Sequence, residues 1–230
     1  MKKATKIFQN NNWQFNQYVT KIFDAHVKQS IPFYSISHDL TVKLSEFFLK
    51  TGSNYYDIGC STGTLLKKIK KSNKKLINYI GIDDSKDMIL SAKKNLKGVK
   101  FFKSKAENFK FKKSDLITAL YTLQFNNYSQ KKKILSKIYK SLNTDGAFIV
   151  FEKVRFENSK IQEIFNSMYY DFKLNKKISA IEILKKEKSL RGIMTPIKIE
   201  ENIALFKRSG FKNIYTISQY LFFIGFICIK

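Results

Sequence analysis

Hydrophobic and polar positions fall into two regimes along the 230-residue chain. After a polar stretch reaching about Asn12, apolar side chains recur at helical spacing. Trp13, Phe15, Tyr18, Val19, Ile22 and Phe23 predict an amphipathic helix over Trp13–Gln29, ended by Pro32, with Phe33-Tyr34-Ser35 as a loop. Leu40, Leu44, Phe47 and Phe48 place the apolar face of a second helix over Asp39–Lys50. From residue 54 the rhythm changes to short β-branched and aromatic runs separated by amphipathic stretches. These predict strands at 54–58, 77–83, 99–103, 115–121 and 147–153, with helices at 64–71, 85–96 and 129–142. Asn143-Thr144-Asp145-Gly146 reads as a turn. Helices follow at Asn158–Phe172, Ser179–Ser189 and Lys198–Ser209, then strands at 212–217 and 220–229.

Strands alternating with helices imply an α/β architecture with a doubly wound, mostly parallel sheet and right-handed crossovers. Residues 1–230 read as a single domain, with 1–50 an N-terminal helical extension and 154–196 a helical cover. That cover lies where ligands bind, outside the carboxyl ends of the strands, so the substrate pocket is expected between it and the Tyr34 loop.

The most informative stretch runs from Asn54 to Gly63, reading Asn-Tyr-Tyr-Asp-Ile-Gly-Cys-Ser-Thr-Gly. A strand enters a small-residue turn where a ligand can approach the backbone without meeting a Cβ. The next strand ends in Asp83-Asp84, and Asp83 lies 24 positions (83 − 59) after Gly59. An acid about 20 residues beyond the first glycine takes ribose hydroxyls. A dinucleotide site needs a second glycine for its pyrophosphate, but Ser61 stands there, and Asp57 would repel phosphate while holding an ammonium. Asp57, Gly59 and Gly63 in Asp-x-Gly-x-x-x-Gly resemble the first motif of class I S-adenosylmethionine (SAM) methyltransferases. The resemblance implies SAM as cofactor and a Rossmann-like class I methyltransferase fold: a seven-stranded sheet with an antiparallel last strand.

Composition narrows the partners. The formal charge of +25 invites a nucleic-acid reading, but only Arg155, Arg191 and Arg208 are arginine among 43 basic residues, leaving 40 (43 − 3) lysines. The lysines spread through every predicted helix, so solvated faces are favoured over a phosphate track. Met1-Lys2-Lys3-Ala4-Thr5-Lys6 lacks an apolar core for a secretory signal, and Tyr220–Ile229 is half the ~20 residues of a membrane helix. Cys60 and Cys228 form neither a disulfide framework nor a metal set, which suits a reducing cytoplasm. His26 and His38 lie on separate helices and suggest no metal, while a catalytic role for a histidine stays open. Tyr34, Tyr121 and Tyr169 are the catalytic candidates, with Tyr121, Tyr169 and Tyr170 read first as core or pocket wall because a phenol titrates near ~10.

Longer motifs point further. Asn12-Trp13-Gln14-Phe15, Ser30-Ile31-Pro32-Phe33-Tyr34-Ser35, Tyr56-Asp57-Ile58-Gly59-Cys60-Ser61, Thr122-Leu123-Gln124-Phe125, Phe151-Glu152-Lys153 and Tyr170-Asp171-Phe172-Lys173 resemble the carboxy-S-adenosylmethionine (carboxy-SAM) synthases over nearly the whole chain. Such enzymes form homodimers and convert SAM and prephenate to carboxy-SAM, which a partner enzyme spends on a tRNA wobble uridine. The resemblance implies that Tyr34 contacts the ligand. It also implies that Gly59, Cys60 and Ser61 line its amino-acid end, and that Asp83 and Asp84 hold the ribose.

Three positions differ from that family's pattern. Lys105 and then Ala106 stand where an acid normally meets the adenine, Leu120 replaces an asparagine, and Glu187 aligns with the arginine that binds the added carboxylate. Glu187 therefore shifts the expectation to methyl transfer from SAM to a small-molecule acceptor, with carboxy-SAM synthesis as the alternative. An RNA-binding module without chemistry is the third reading, and intact Asp57, Gly59 and Asp83 argue against it.

Overall fold

The computed structural model describes residues 17–230. Helix α1 (Gln17–Ser30) and helix α2 (Tyr34–Phe48) precede the alternating part. The expected first turn of α1 at Trp13, and the Asn12–Phe15 motif, lie outside the described residues. The chain continues as β1 (Asn54–Ile58), α3 (Thr64–Ser72), β2 (Asn78–Asp83), α4 (Lys86–Asn95), β3 (Lys100–Lys103), β4 (Ser114–Leu120), α5 (Tyr128–Ser141) and β5 (Leu142–Lys153). Then come α6 (Ser159–Asn175), α7 (Ala180–Ser189), α8 (Ile199–Ser209), β6 (Asn213–Tyr220) and β7 (Phe223–Ile229).

The strands form one seven-stranded sheet in the order β3-β2-β1-β4-β5-β7-β6. The first five neighbours pair parallel, while β7 runs antiparallel to both β5 and β6. Helices on both faces bury β1, β4 and β5 almost completely, which explains their continuous apolar runs. Tyr55, Leu116, Ile117, Phe148, Ile149 and Phe226 are all buried here. The strand order reverses between β1 and β4, and that switch point opens the crevice for a ligand.

Two elements differ from the sequence pattern. Helix α2 starts at Tyr34 rather than Asp39, because Phe33 adopts a left-handed conformation (φ 56°) that turns the chain directly into the helix. Its buried face carries Ser37, His38, Thr41 and Ser45, whereas Phe47 is 84% exposed. Hydroxyls of Ser37, Thr41 and Ser45 bond carbonyls within their own helix, so small polar groups can be buried. Strand β5 begins at Leu142, five residues before the expected Ala147. The turn residues Asn143–Gly146 form a bulge inside the ladder, where Ser114 pairs with Leu142 but Leu116 pairs with Ala147.

Candidate functional site

The crevice at the switch point widens into a cavity of about 960 Å³. Its floor is the glycine turn after β1, its sides are the ends of β2 and β4 with helix α1, and its cover is α6, α7 and the segment to Pro196. Gly59 has φ +70°, and a Cβ built there would collide with the Thr122 side chain. A glycine is thus required both by backbone conformation and by close approach. Gly63 (φ +81°) caps the start of α3 and is not among the cavity-lining residues, so its part is to start the helix.

The remaining predicted site residues converge. Tyr34, Asp57, Gly59, Cys60, Ser61, Asp83, Asp84, Lys105, Ala106, Leu120, Tyr121, Tyr169 and Glu187 all line this cavity. Asp83 accepts backbone N–H bonds from Ser61 (2.9 Å) and Ser85 (2.9 Å), one on each carboxylate oxygen. Both oxygens retain lone pairs, suited to a vicinal diol. Asp57 accepts from Thr118 Oγ1 at 2.7 Å. Burial, with some repulsion from Asp83, pushes its carboxyl up to about 7. A buried carboxyl under that strain is matched by a cationic ligand group. The donor set therefore fits SAM, which brings an ammonium, a sulfonium and a ribose diol.

Helix α1 supplies further groups, of which only Ser30 belongs to a motif quoted above. Asp24 accepts from Thr62 Oγ1 (2.9 Å) and Thr64 Oγ1 (3.0 Å), tying α1 to the glycine turn. His26 Nε2 accepts from Lys186 Nζ at 2.7 Å, while Ser30 Oγ lies 3.1 Å from the same ammonium. Tyr169 Oη donates to the Ser30 carbonyl at 2.7 Å, a second tie between α1 and the cover. Glu107, which is buried and bonded to Gln130 at 3.1 Å, lines the cavity two positions beyond Lys105, where the family pattern has its acid.

The far wall is cationic. Lys173 Nζ stands 3.8 Å from the Tyr169 ring centroid, and Lys153 Nζ stands 4.4 Å from that of Phe222. Burial lowers Lys153 and takes Lys173 down to about 8; burial together with repulsion from Lys173 and Lys153 takes Lys186 to about 7. Glu187 is exposed, and Tyr170 Oη donates to both its oxygens, at 2.9 and 3.2 Å. The motifs Phe151-Glu152-Lys153 and Tyr170-Asp171-Phe172-Lys173 held this signal in the sequence, but neither lysine stood out among forty.

The catalytic candidates are poor bases. Burial raises the phenols of Tyr34 and Tyr169, and pushes Tyr121 up to about 12. Burial also raises the Cys60 thiol, so that side chain packs rather than attacks. His26 and His38 are both driven to about 3, mainly by burial, and are neutral. Among the described residues no group of His, Cys, Asp and Glu could hold a metal, and no helix is long and apolar enough to cross a membrane.

Several known proteins are similar to this chain in sequence or fold. A methyltransferase-domain family matches residues 49–194. The carboxy-S-adenosyl-L-methionine synthase of Staphylococcus epidermidis is 36% identical over 95% of this chain and 97% of its own length. The enzyme of the same name from Nautilia profundicola is 34% identical, covering 95% of this chain and 94% of its own length. Among solved structures, a plantazolicin methyltransferase in complex with a substrate analogue and SAH superposes with a TM-score of 0.66 at 18% identity, over 91% of this chain and 89% of that one. An O-methyltransferase of Nostoc punctiforme gives 0.65 at 15% identity, over 93% and 59%. The chain therefore belongs to the carboxy-S-adenosyl-L-methionine synthase family, within the class I methyltransferase superfamily, and is an enzyme that uses SAM.

Proposed function

We propose that the enzyme makes carboxy-SAM from SAM and prephenate. The observation that carries this reading is the charge of the wall opposite the glycine turn. Lys153, Lys173 and Lys186 line the same cavity as Asp57 and Asp83, while Glu187, the acid acting on Lys153 and Lys173, is exposed and hydrogen-bonded by Tyr170. A methyl group needs no cations to receive it. A carboxylate added to the sulfonium arm does, and lysines partly withdrawn from water bind it more strongly than lysines in bulk solvent. The expectation of methyl transfer drawn from Glu187 gives way, because Lys186 on the same helix restores the positive charge that an arginine would supply.

In this reading Asp83 holds the ribose diol, and Asp57 faces the ligand ammonium. The bookkeeping of the reaction is closed. The SAM methyl loses a proton and forms a C–C bond to carbon dioxide. Prephenate supplies that carbon dioxide and its ring hydroxyl, leaving phenylpyruvate, and the hydroxide and methyl proton depart as water. Binding SAM beside the lysine wall orients the methyl carbon towards the released carbon dioxide and supplies a large part of the rate. We include in the proposal a homodimer, as the family resemblance implies.

The test is incubation of the purified protein with SAM and prephenate, followed by mass spectrometry of the nucleoside pool. Carboxy-SAM formed with phenylpyruvate in equal amounts supports the reading. A methylated acceptor with no carboxy-SAM overturns it.

A further inference from the structure

His26 sits on α1 and Lys186 on α7, 160 positions apart, yet their side chains meet at 2.7 Å on the cavity wall. A charged ammonium has no lone pair, so Lys186 donates and the Nε2 of neutral His26 accepts, which places the imidazole proton on Nδ1. Ser30 Oγ supports the same ammonium at 3.1 Å. These two directional contacts distinguish Lys186 from its neighbours. Lys173 and Lys153 rest on ring faces of Tyr169 and Phe222, which attract a cation without fixing its N–H directions. Helix α7 also presents Glu187 one position later, about 100° further round the helix, and both side chains reach the cavity wall. Docking on α1 fixes the direction in which Lys186 presents its ammonium.

We propose that His26 is a positioning residue for the reaction: it docks the Lys186 ammonium on the cavity wall, where Lys186 receives the carboxylate being installed on the sulfonium arm. The proposal deepens the carboxy-SAM reading and rests on it. It also gives the site a pH dependence. Lys186 is faced by neutral His26 from α1, by Lys173 from α6 and by Lys153 from β5, while Tyr169, Tyr170 and Glu187 line the same cavity. With its acidity near 7 before ligand binds, the ammonium is lost as the pH rises through that value. Affinity for a carboxylated ligand then falls relative to SAM.

The experiment compares carboxy-SAM and SAM binding by calorimetry for the unaltered protein, His26→Leu, His26→Gln and Lys186→Met. His26→Leu is expected to weaken carboxy-SAM about tenfold while SAM changes little, as for loss of a hydrogen bond to a charged group. His26→Gln, which keeps an acceptor, should restore most of that loss, and Lys186→Met should remove the fall of the ratio near pH 7, leaving only the later fall near pH 8 that belongs to Lys173. In His26→Leu the fall of the ratio should move to lower pH, since the acceptor that favours the ammonium is gone. Equal weakening of both ligands, or an unchanged ratio in His26→Leu, overturns the proposal. These binding ratios are read independently of turnover. A protein that shows them but makes no carboxy-SAM refutes the proposed reaction and leaves the His26–Lys186 site standing.

Discussion

Tyr170 Oη donates to both carboxylate oxygens of Glu187, at 2.9 and 3.2 Å, and so holds an acid at the rim of a lysine-lined cavity. Glu187 raises the pKa of Lys153 and of Lys173, opposing the lowering that burial imposes on them. The acid thus helps keep two ammoniums charged while subtracting from the field that an incoming anion meets.

Because Glu187 is exposed, solvent screens most of its charge. Glu187→Gln is expected to raise the carboxy-SAM to SAM affinity ratio by about two- to fivefold at low salt. Glu187→Arg should raise it further. Titrations at two salt concentrations check this, and the gain should shrink as salt increases.

Asp57 illustrates a cost built into the site. Its folded-state value of about 7 lies above the 3.8 of the unfolded chain, so the folded state prefers the protonated acid. The associated stability is complete below 3.8 and is lost as the pH rises through about 7. Asp57→Asn should therefore stabilise the ligand-free protein by roughly 2 kcal/mol above neutrality and weaken SAM binding at least about tenfold. In the unaltered protein SAM affinity should decline as the pH drops below about 7. Thermal melts and calorimetry across that range check both signs.

Gly59→Ala meets two obstacles, a φ of +70° and the Thr122 side chain. Together they are expected to cost roughly 2–4 kcal/mol. Adding Thr122→Ala should relieve only part of the collision, because the Thr122 Cβ that remains lies 2.8 Å from a Cβ at position 59, and the backbone strain of about 1 kcal/mol stays. Denaturant midpoints of the single and double variants separate the two causes.

Lys131 on α5 and Glu152 on β5 form an ion pair of 3.0 Å, with both side chains 1% exposed. Glu152 Oε1 has no hydrogen-bond partner among the described residues. Lys131→Met leaves a buried carboxylate and should cost about 3–5 kcal/mol, whereas Lys131→Met combined with Glu152→Leu should return close to the original stability. Chemical denaturation measures both.

The α/β alternation was legible because buried parallel strands and amphipathic helices carry different periods, and Gly59 with Asp83 marked the end of the sheet where the cavity opens. The face of α2 was not legible. Ser37, Thr41 and Ser45 look solvent-directed in a sequence, and only their bonds to helix carbonyls make them buriable. The bulge in β5 was hidden because Asn143–Gly146 has true turn chemistry, which the ladder encloses through the Gly146 carbonyl and the Lys230 N–H at 3.0 Å. The cationic wall was illegible for a third reason. Lys153, Lys173 and Lys186 are distant in sequence and indistinguishable by type from dozens of surface lysines, until packing removes water from these few.

The meeting of α1 with α7 also sets an order of events during synthesis. His26 must wait for a partner made 160 residues later. At roughly 5–20 residues per second that is a delay of about 10–30 s. Once residue 84 is made, the glycine turn, strand β1 and the acids of β2 exist, but helix α1 has no cover to grip until Tyr169 arrives to bond the Ser30 carbonyl and Lys186 follows. Ribosome-bound or truncated chains that stop before residue 186 can therefore build much of the sheet without closing the pocket. Retention of nucleoside by a nascent chain would report that its last third has arrived.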